Sequence, residues 1–183
     1  MTTLSPTEIL HRLKRASPRP TTEAPRNARG IYGLVDHLGA FRYIGSTSSW
    51  NETFYKRIHQ RHRTGSETTS HYFSRMYNTG RMWRQPNDLA NKADGNVAKA
   101  LRNAFIAQYC RAVWVPLPDD AGIARLEASV VALAPADMTA WNRRGMEPYA
   151  EPAVLVDTLI ESLALGSRSR PSMWWKKRDG LRA

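Results

Sequence analysis

The first apolar stripe along the chain is Ile9, Leu10 and Leu13, at helical spacing. Ser5-Pro6-Thr7-Glu8 stands before it. Ser5 fits an N-cap, Pro6 the first helical position, and Glu8 closes a capping box, with Leu4 placed to staple onto Ile9. A helix is therefore predicted from Pro6 to Arg15. Residues 16–29 hold three prolines and no large apolar residue, so they read as an extended linker arm. Residues 30–36 and 40–44 then read as two strands turning at His37-Leu38-Gly39, a β-hairpin. Residues 53–63 read as a basic helix and 71–79 as a second, short one. The stretch 96–109 is longer and places Ala98, Leu101, Phe105 and Ile106 on one face. Residues 112–117 read as a strand. A helix over 121–133 follows, with Asp119 and Asp120 at the end where the helix dipole favours acids. Beyond a loop at 135–150, Pro152 opens a last helix carrying Leu155, Leu159 and Leu163, which Gly166 ends. The order predicts an α+β domain with a small, mostly antiparallel sheet covered by helices.

Charge changes the picture. The 183 residues carry a formal net charge of +11, with a pI near 10.3. Residues 1–29 hold net +4 and residues 166–183 net +5, so the two ends carry nine of the eleven charges. Within the middle, Lys56, Arg57, Arg61, Arg63, Arg75, Arg81 and Arg84 face Glu67 alone across residues 56–84. The excess points to a polyanionic partner, nucleic acid first. The chain divides into an N-terminal helix and basic arm (1–29), a central domain (30–145), a C-terminal helix packed on it (146–165) and a basic tail (166–183). In that tail Trp174 and Trp175 directly precede Lys176, Lys177 and Arg178. Indoles can stack on exposed bases while cations neutralise phosphates. Docking of the two tryptophans on the protein's own core is the alternative, and contact with a membrane surface a third. No apolar run is long enough for a span and no leader pattern opens the chain, so a cytoplasmic protein with no membrane partner is expected. Cys110 is the one cysteine, which leaves no intrachain disulfide framework and no cysteine-based zinc site.

Four sets of residues could carry chemistry. Tyr32 and Tyr43 lie on the two hairpin strands, although a strand tyrosine is more often a half-buried packing residue. Arg57 and Arg61 are one α-helical turn apart and could clamp a phosphate, or simply form a solvated basic face. Glu127 falls inside the apolar stripe of Ile123, Leu126, Val130 and Val131, where a carboxylate must be paired, protonated or metal-bound. A lone carboxylate with oxygen ligation suits Mg²⁺. His59, His62 and His71 cluster around the basic helix without the further ligands that zinc needs. No P-loop, dinucleotide fingerprint or nucleophile elbow is present, so those reaction classes have no support.

In order, these residues resemble the signature of the GIY-YIG nuclease family. Gly30-Ile31-Tyr32 is followed after ten residues by Tyr43-Ile44-Gly45, then Arg57-Ile58, His71, Glu127 and Asn142. The resemblance spans roughly residues 30–143, with residues 81–97 longer than the minimal pattern. It implies a three-stranded antiparallel sheet flanked by helices, which hydrolyses phosphodiester bonds of DNA with one divalent ion, Mg²⁺ or Mn²⁺. It further implies Glu127 as the metal ligand and Tyr32 as the base that deprotonates water. Arg57 would stabilise phosphate charge and favour the phenolate, while Tyr43 and Asn142 would position phosphate oxygens or metal-bound water. Arg61, His71, Lys176, Lys177 and Arg178 are the further candidates for contact with DNA. One position departs from the pattern. The family commonly has a histidine one turn after the arginine, where this chain has Arg61. His62 is five residues from Arg57, about 140° around an ideal α-helix. Either the helix is distorted, or Arg61 takes the place, or the helper is lost. His62 is favoured, because a neutral imidazole can accept a tyrosine proton and an arginine cannot. A non-catalytic nucleic-acid-binding module on the same fold is the alternative, and a basic protein that binds an acidic partner is a third. A symmetric double-strand cut by a one-site domain requires a homodimer on the substrate or two successive nicks.

Overall fold

A computed structural model describes residues 4–64, 72–85, 92–119, 121–142 and 148–167. Helix α1 (Pro6–Arg15) begins as its sequence dictates: the Ser5 side chain accepts from the Glu8 backbone, and Glu8 Oε2 accepts from the Ser5 backbone at 2.8 Å. The architecture is α+β around a four-stranded antiparallel sheet, in the order β1 (Arg19–Pro20), β4 (Arg111–Pro116), β2 (Gly30–Val35), β3 (Phe41–Ser46).

The fourth strand corrects the expected three. Arg19 pairs with Ala112 and Pro20 with Arg111, so the arm read as a linker closes one edge of the sheet. Proline is tolerated there because an edge position has no ladder partner for the missing N–H. The arm continues against the domain: Thr21 and Ala24 are buried, and the Phe54 and Tyr55 N–H groups donate to the Ala28 and Pro25 carbonyls.

Strand β2 is central, and Tyr32 sits between Gly45 of β3 and Trp114 of β4. At its start, Gly30 adopts φ +149°, and a Cβ there would stand 2.2 Å from the Val115 carbonyl oxygen, so only glycine fits. Alternation along the strands sorts side chains to two faces. Ile31, Ile44, Val113 and Val115 pack with Ile9 and Leu13 of α1 and with Ile123 and Val130 of α5 (Ile123–Leu133). Tyr32, Leu34, Tyr43 and Ala112 face the opposite core. There they meet Phe54, Ile58, Tyr77, Phe105 and the C-terminal helix.

The helices differ from expectation in four places. The basic helix is a π-helix over Tyr55–Arg61 that runs into α2 (His62–Thr64). Helix α3 covers only Tyr72–Arg75, and α4 starts earlier, spanning Lys92–Tyr109. Helix α5 is not capped by an aspartate: its N-cap is Gly122 at φ +62°, while Asp119 pairs with Arg29 at 3.1 Å. Asp120 lies outside the described residues. In α6 (Ala153–Ser167) Val156 and Leu159 are the buried residues and Leu163 is exposed. Arg81 ties that helix down through Glu151 at 2.5 Å and through Asp157. Among the described residues no helix is long and apolar enough to cross a membrane.

Candidate functional site

The hairpin brings Tyr32 and Tyr43 to the same face, with ring centroids 6.3 Å apart. Gly45 makes the approach possible. A Cβ at that position would stand 2.7 Å from the Tyr32 hydroxyl and 2.7 Å from Cε1 of Tyr43. Any side chain there would push into the space the phenol occupies.

The π-helix supplies the next two groups. Its i→i+5 bonding shows in the His62 N–H, which donates to the Arg57 carbonyl. That register brings residues five apart roughly one turn around the axis. Arg57 and His62 therefore both reach Tyr32. The Tyr32 hydroxyl lies 2.6 Å from His62 Nε2, and the Arg57 guanidinium is close enough to favour the charged form of the same phenol. Tyr43 packs on the His62 ring at 5.0 Å. Of the three possibilities left by the sequence, a distorted helix is the one observed. Arg61 does not take the position. It turns away to Glu52, at 2.5 Å, and stays half exposed while Glu52 is buried. Arg61 thus pairs with Glu52, while Arg57 is turned to the Tyr32 phenol.

Glu127 approaches from α5, on the other side of β3. Its Oε2 accepts a short hydrogen bond from the Ser46 hydroxyl. Ser46 was not anticipated. The signal was present in strand alternation, which places a hydroxyl after Gly45 on the face that α5 covers. Glu52 was missed as well, since its role depends on a loop closing back onto the helix.

Burial is the largest influence on the Tyr32 phenol and holds it protonated well above the ordinary tyrosine range. Tyr43 and Glu127 push in the same direction, and Arg57 opposes them by charge and by hydrogen bond. The cation expected to favour the phenolate is therefore in place, but burial outweighs it. The Arg57 Nε is itself buried without a hydrogen-bond partner. Burial of Arg57 works to lower its pKa, yet the phenols and Glu52 keep it raised and charged.

Asn142 bonds the backbone of β3. Its Oδ1 accepts from the Ile44 N–H at 2.9 Å and its Nδ2 donates to the Ile44 carbonyl at 2.6 Å. The amide completes the outer edge of β3 as a neighbouring strand would. His59 lies apart, with Nδ1 at 3.1 Å from the Thr21 hydroxyl. His71, Lys176, Lys177 and Arg178 lie outside the described residues.

The donor set for a cation is one carboxylate and a hydroxyl. Among the described residues no group of three or more His, Cys, Asp or Glu comes together. Such a set does not suit zinc. It does fit Mg²⁺, which keeps most of its waters and binds proteins through one or two carboxylates plus substrate phosphate. Comparison of the chain with protein-family models, with curated proteins and with solved structures finds no match.

Proposed function

We propose that the chain is a divalent-metal-dependent endonuclease that hydrolyses DNA, as its resemblance to GIY-YIG nucleases implies. The observation that carries this reading is the 2.6 Å contact between the Tyr32 hydroxyl and His62 Nε2, with Arg57 on the same phenol. A structural tyrosine needs a hydrogen-bond partner when buried. It does not need a buried guanidinium beside it.

Glu127, oriented by Ser46, would hold the cation. When bound, Mg²⁺ neutralises the scissile phosphate and helps the leaving oxygen depart. The protein's own groups do the rest. Tyr32 takes a proton from the attacking water as its own passes to the His62 Nε2. The Arg57 guanidinium supports the negative phenol during that transfer. Tyr43 holds the His62 ring in place from the side.

A second reading, a DNA-binding module that does not cleave, draws on one observation: Tyr32 has 0% of its surface exposed. A base must reach its water, and in this conformation Tyr43 and His62 cover it.

Incubating supercoiled plasmid with the wild type and with Glu127→Ala, in Mg²⁺ and in EDTA, separates the two. The nuclease reading expects nicked or linear product that requires both the ion and Glu127. Salt-sensitive binding that survives Glu127→Ala and Tyr32→Phe, with the supercoil intact throughout, establishes the module instead.

A further inference from the structure

We propose that Trp50 is a stacking platform for an unpaired base, and that single-stranded or branched DNA is therefore the preferred substrate form. The inference deepens the nuclease reading and rests on it for the nearness of the scissile bond.

Trp50 is 85% exposed. Tryptophan is the side chain with most to lose from such a position, because its indole leaves a large apolar surface in water. A lone exposed apolar residue needs no explanation by itself. This one stands on a fixed mount. The Glu52 N–H donates to the Ser49 carbonyl at 3.0 Å, closing a turn with Trp50 and Asn51 at its tip. One foot of the turn, Glu52, is buried at 4% exposure, and Thr47, two residues before the other foot, at 0%. Arg29 Nη2 holds the Ser48 carbonyl at 3.1 Å, and Lys56 Nζ holds the Asn51 carbonyl at 2.7 Å. The turn is thus pinned from both sides, and the indole is what it presents.

The pins are cations. Arg29, which also pairs with Asp119 at 3.1 Å, comes from the basic arm, and that arm lies along the start of the π-helix through the Ala28 and Pro25 carbonyls. Lys56 is exposed and uses one of its three donors on Asn51. An exposed ring beside Lys56, on a turn that Arg29 pins, combines the two elements of single-strand recognition: charge for the backbone and a π-face for a base. In an intact duplex the bases are stacked on one another and offer the ring no face. The location fits the site. Trp50 is four residues from Ser46, the partner of Glu127, so the two backbones are at most about 14 Å apart. That distance spans a few nucleotides from the bond to be cut.

The test uses the full chain in EDTA, so that binding is read without cleavage. The probe is a fluorescein-labelled mixed-sequence oligonucleotide, as a single strand and annealed to its complement, followed by fluorescence anisotropy. Trp50→Ala is expected to weaken single-strand binding about tenfold and duplex binding by less than about twofold, while Trp50→Phe retains most of the affinity. The salt dependence should be unchanged, because the indole carries no charge. Single-strand affinity within about twofold of wild type in Trp50→Ala overturns the proposal. An equal loss on both DNA forms overturns it as well. Failure of the nuclease reading shows separately: a chain that never cuts plasmid with Mg²⁺ can still lose single-strand binding with Trp50.

Discussion

Two tyrosine–histidine pairs lie in the same core, one formed by Tyr32 and His62 and the other by Tyr77 and His37. The Tyr77 hydroxyl is 3.0 Å from His37 Nδ1, against 2.6 Å in the first pair. Burial is the first cause that raises both phenols. Their remaining neighbours differ. Around Tyr77 the Cys110 thiol and the Asp36 carboxylate raise the phenol further, and the His37 N–H and Cys110 Sγ donate to it. Burial pushes the Cys110 thiol up to about 12, so it is no nucleophile near neutral pH. Nothing cationic touches that hydroxyl among the described residues. Tyr32 instead has Arg57 against it and Glu127 in electrostatic reach. A tyrosine–histidine contact is common currency in an aromatic core. A carboxylate is in electrostatic reach of both phenols, and the guanidinium of Arg57 is what turns one of the two into a candidate site.

Removing each hydroxyl is the strongest way to break the comparison. Tyr32→Phe is expected to slow Mg²⁺-dependent plasmid nicking about 10²- to 10⁴-fold, the usual worth of general-base catalysis. Tyr77→Phe should leave nicking within a few-fold of wild type. It should instead cost about 1–3 kcal/mol in urea unfolding, because buried partners lose their acceptor. A smaller effect is expected one step out from the chemistry. Ser46→Ala removes the hydrogen bond that orients Glu127, and should raise the Mg²⁺ concentration for half-maximal nicking roughly tenfold. On the Tyr77 side the nearby carboxylate, Asp36, is taken up by Arg42 and the Tyr149 hydroxyl.

The smallest effect is in stability against pH. Burial holds the His37 imidazole below its usual value, opposed by Asp36, and burial followed by Arg63 and Arg26 does the same for His59. A histidine depressed by folding contributes stability above its unfolded pKa of about 6.5, and that stability is lost as pH falls. The melting temperature should therefore drop by a few degrees between pH 7 and pH 5, and the drop should shrink in His37→Gln. Burial works to raise the Asp36 carboxyl, but hydrogen bonds from Arg42, Tyr149 and the Ala40 and Leu38 backbone outweigh it and lower its pKa, so its stabilisation is constant above about pH 4 and is lost only below. The window between 5 and 7 thus isolates the histidines.

Much of the fold was legible because short-range rules govern it. The Ser5–Glu8 box and the punctuation at His37–Gly39 act over a few residues, and the elements appear where those signals stand. Glu127 was legible as an anomaly, a carboxylate in an apolar stripe. Strand β1 was not, because two residues carry no period and their pairing depends on β4, about ninety residues away. The π-helix was hidden for a related reason. Sequence periodicity assumes 3.6 residues per turn, and an i→i+5 register leaves no trace of its own in the pattern. The misfit between Arg57 and His62 was the only sign, and it could be resolved solely by seeing both side chains reach Tyr32. Glu52 and the Asp36–Arg42–Tyr149 cluster are built from contacts between distant segments, which no local signal reports.

The most direct test of the central claim is a double-mutant cycle on Tyr32 and His62. Nicking rates would be measured in Mg²⁺ for Tyr32→Phe, His62→Ala and the double variant. Groups that act as a unit give losses that do not add. The account predicts that the double variant is about as slow as Tyr32→Phe alone. Losses that multiply would contradict it, since the two side chains would then act independently and the 2.6 Å contact would be no more than packing.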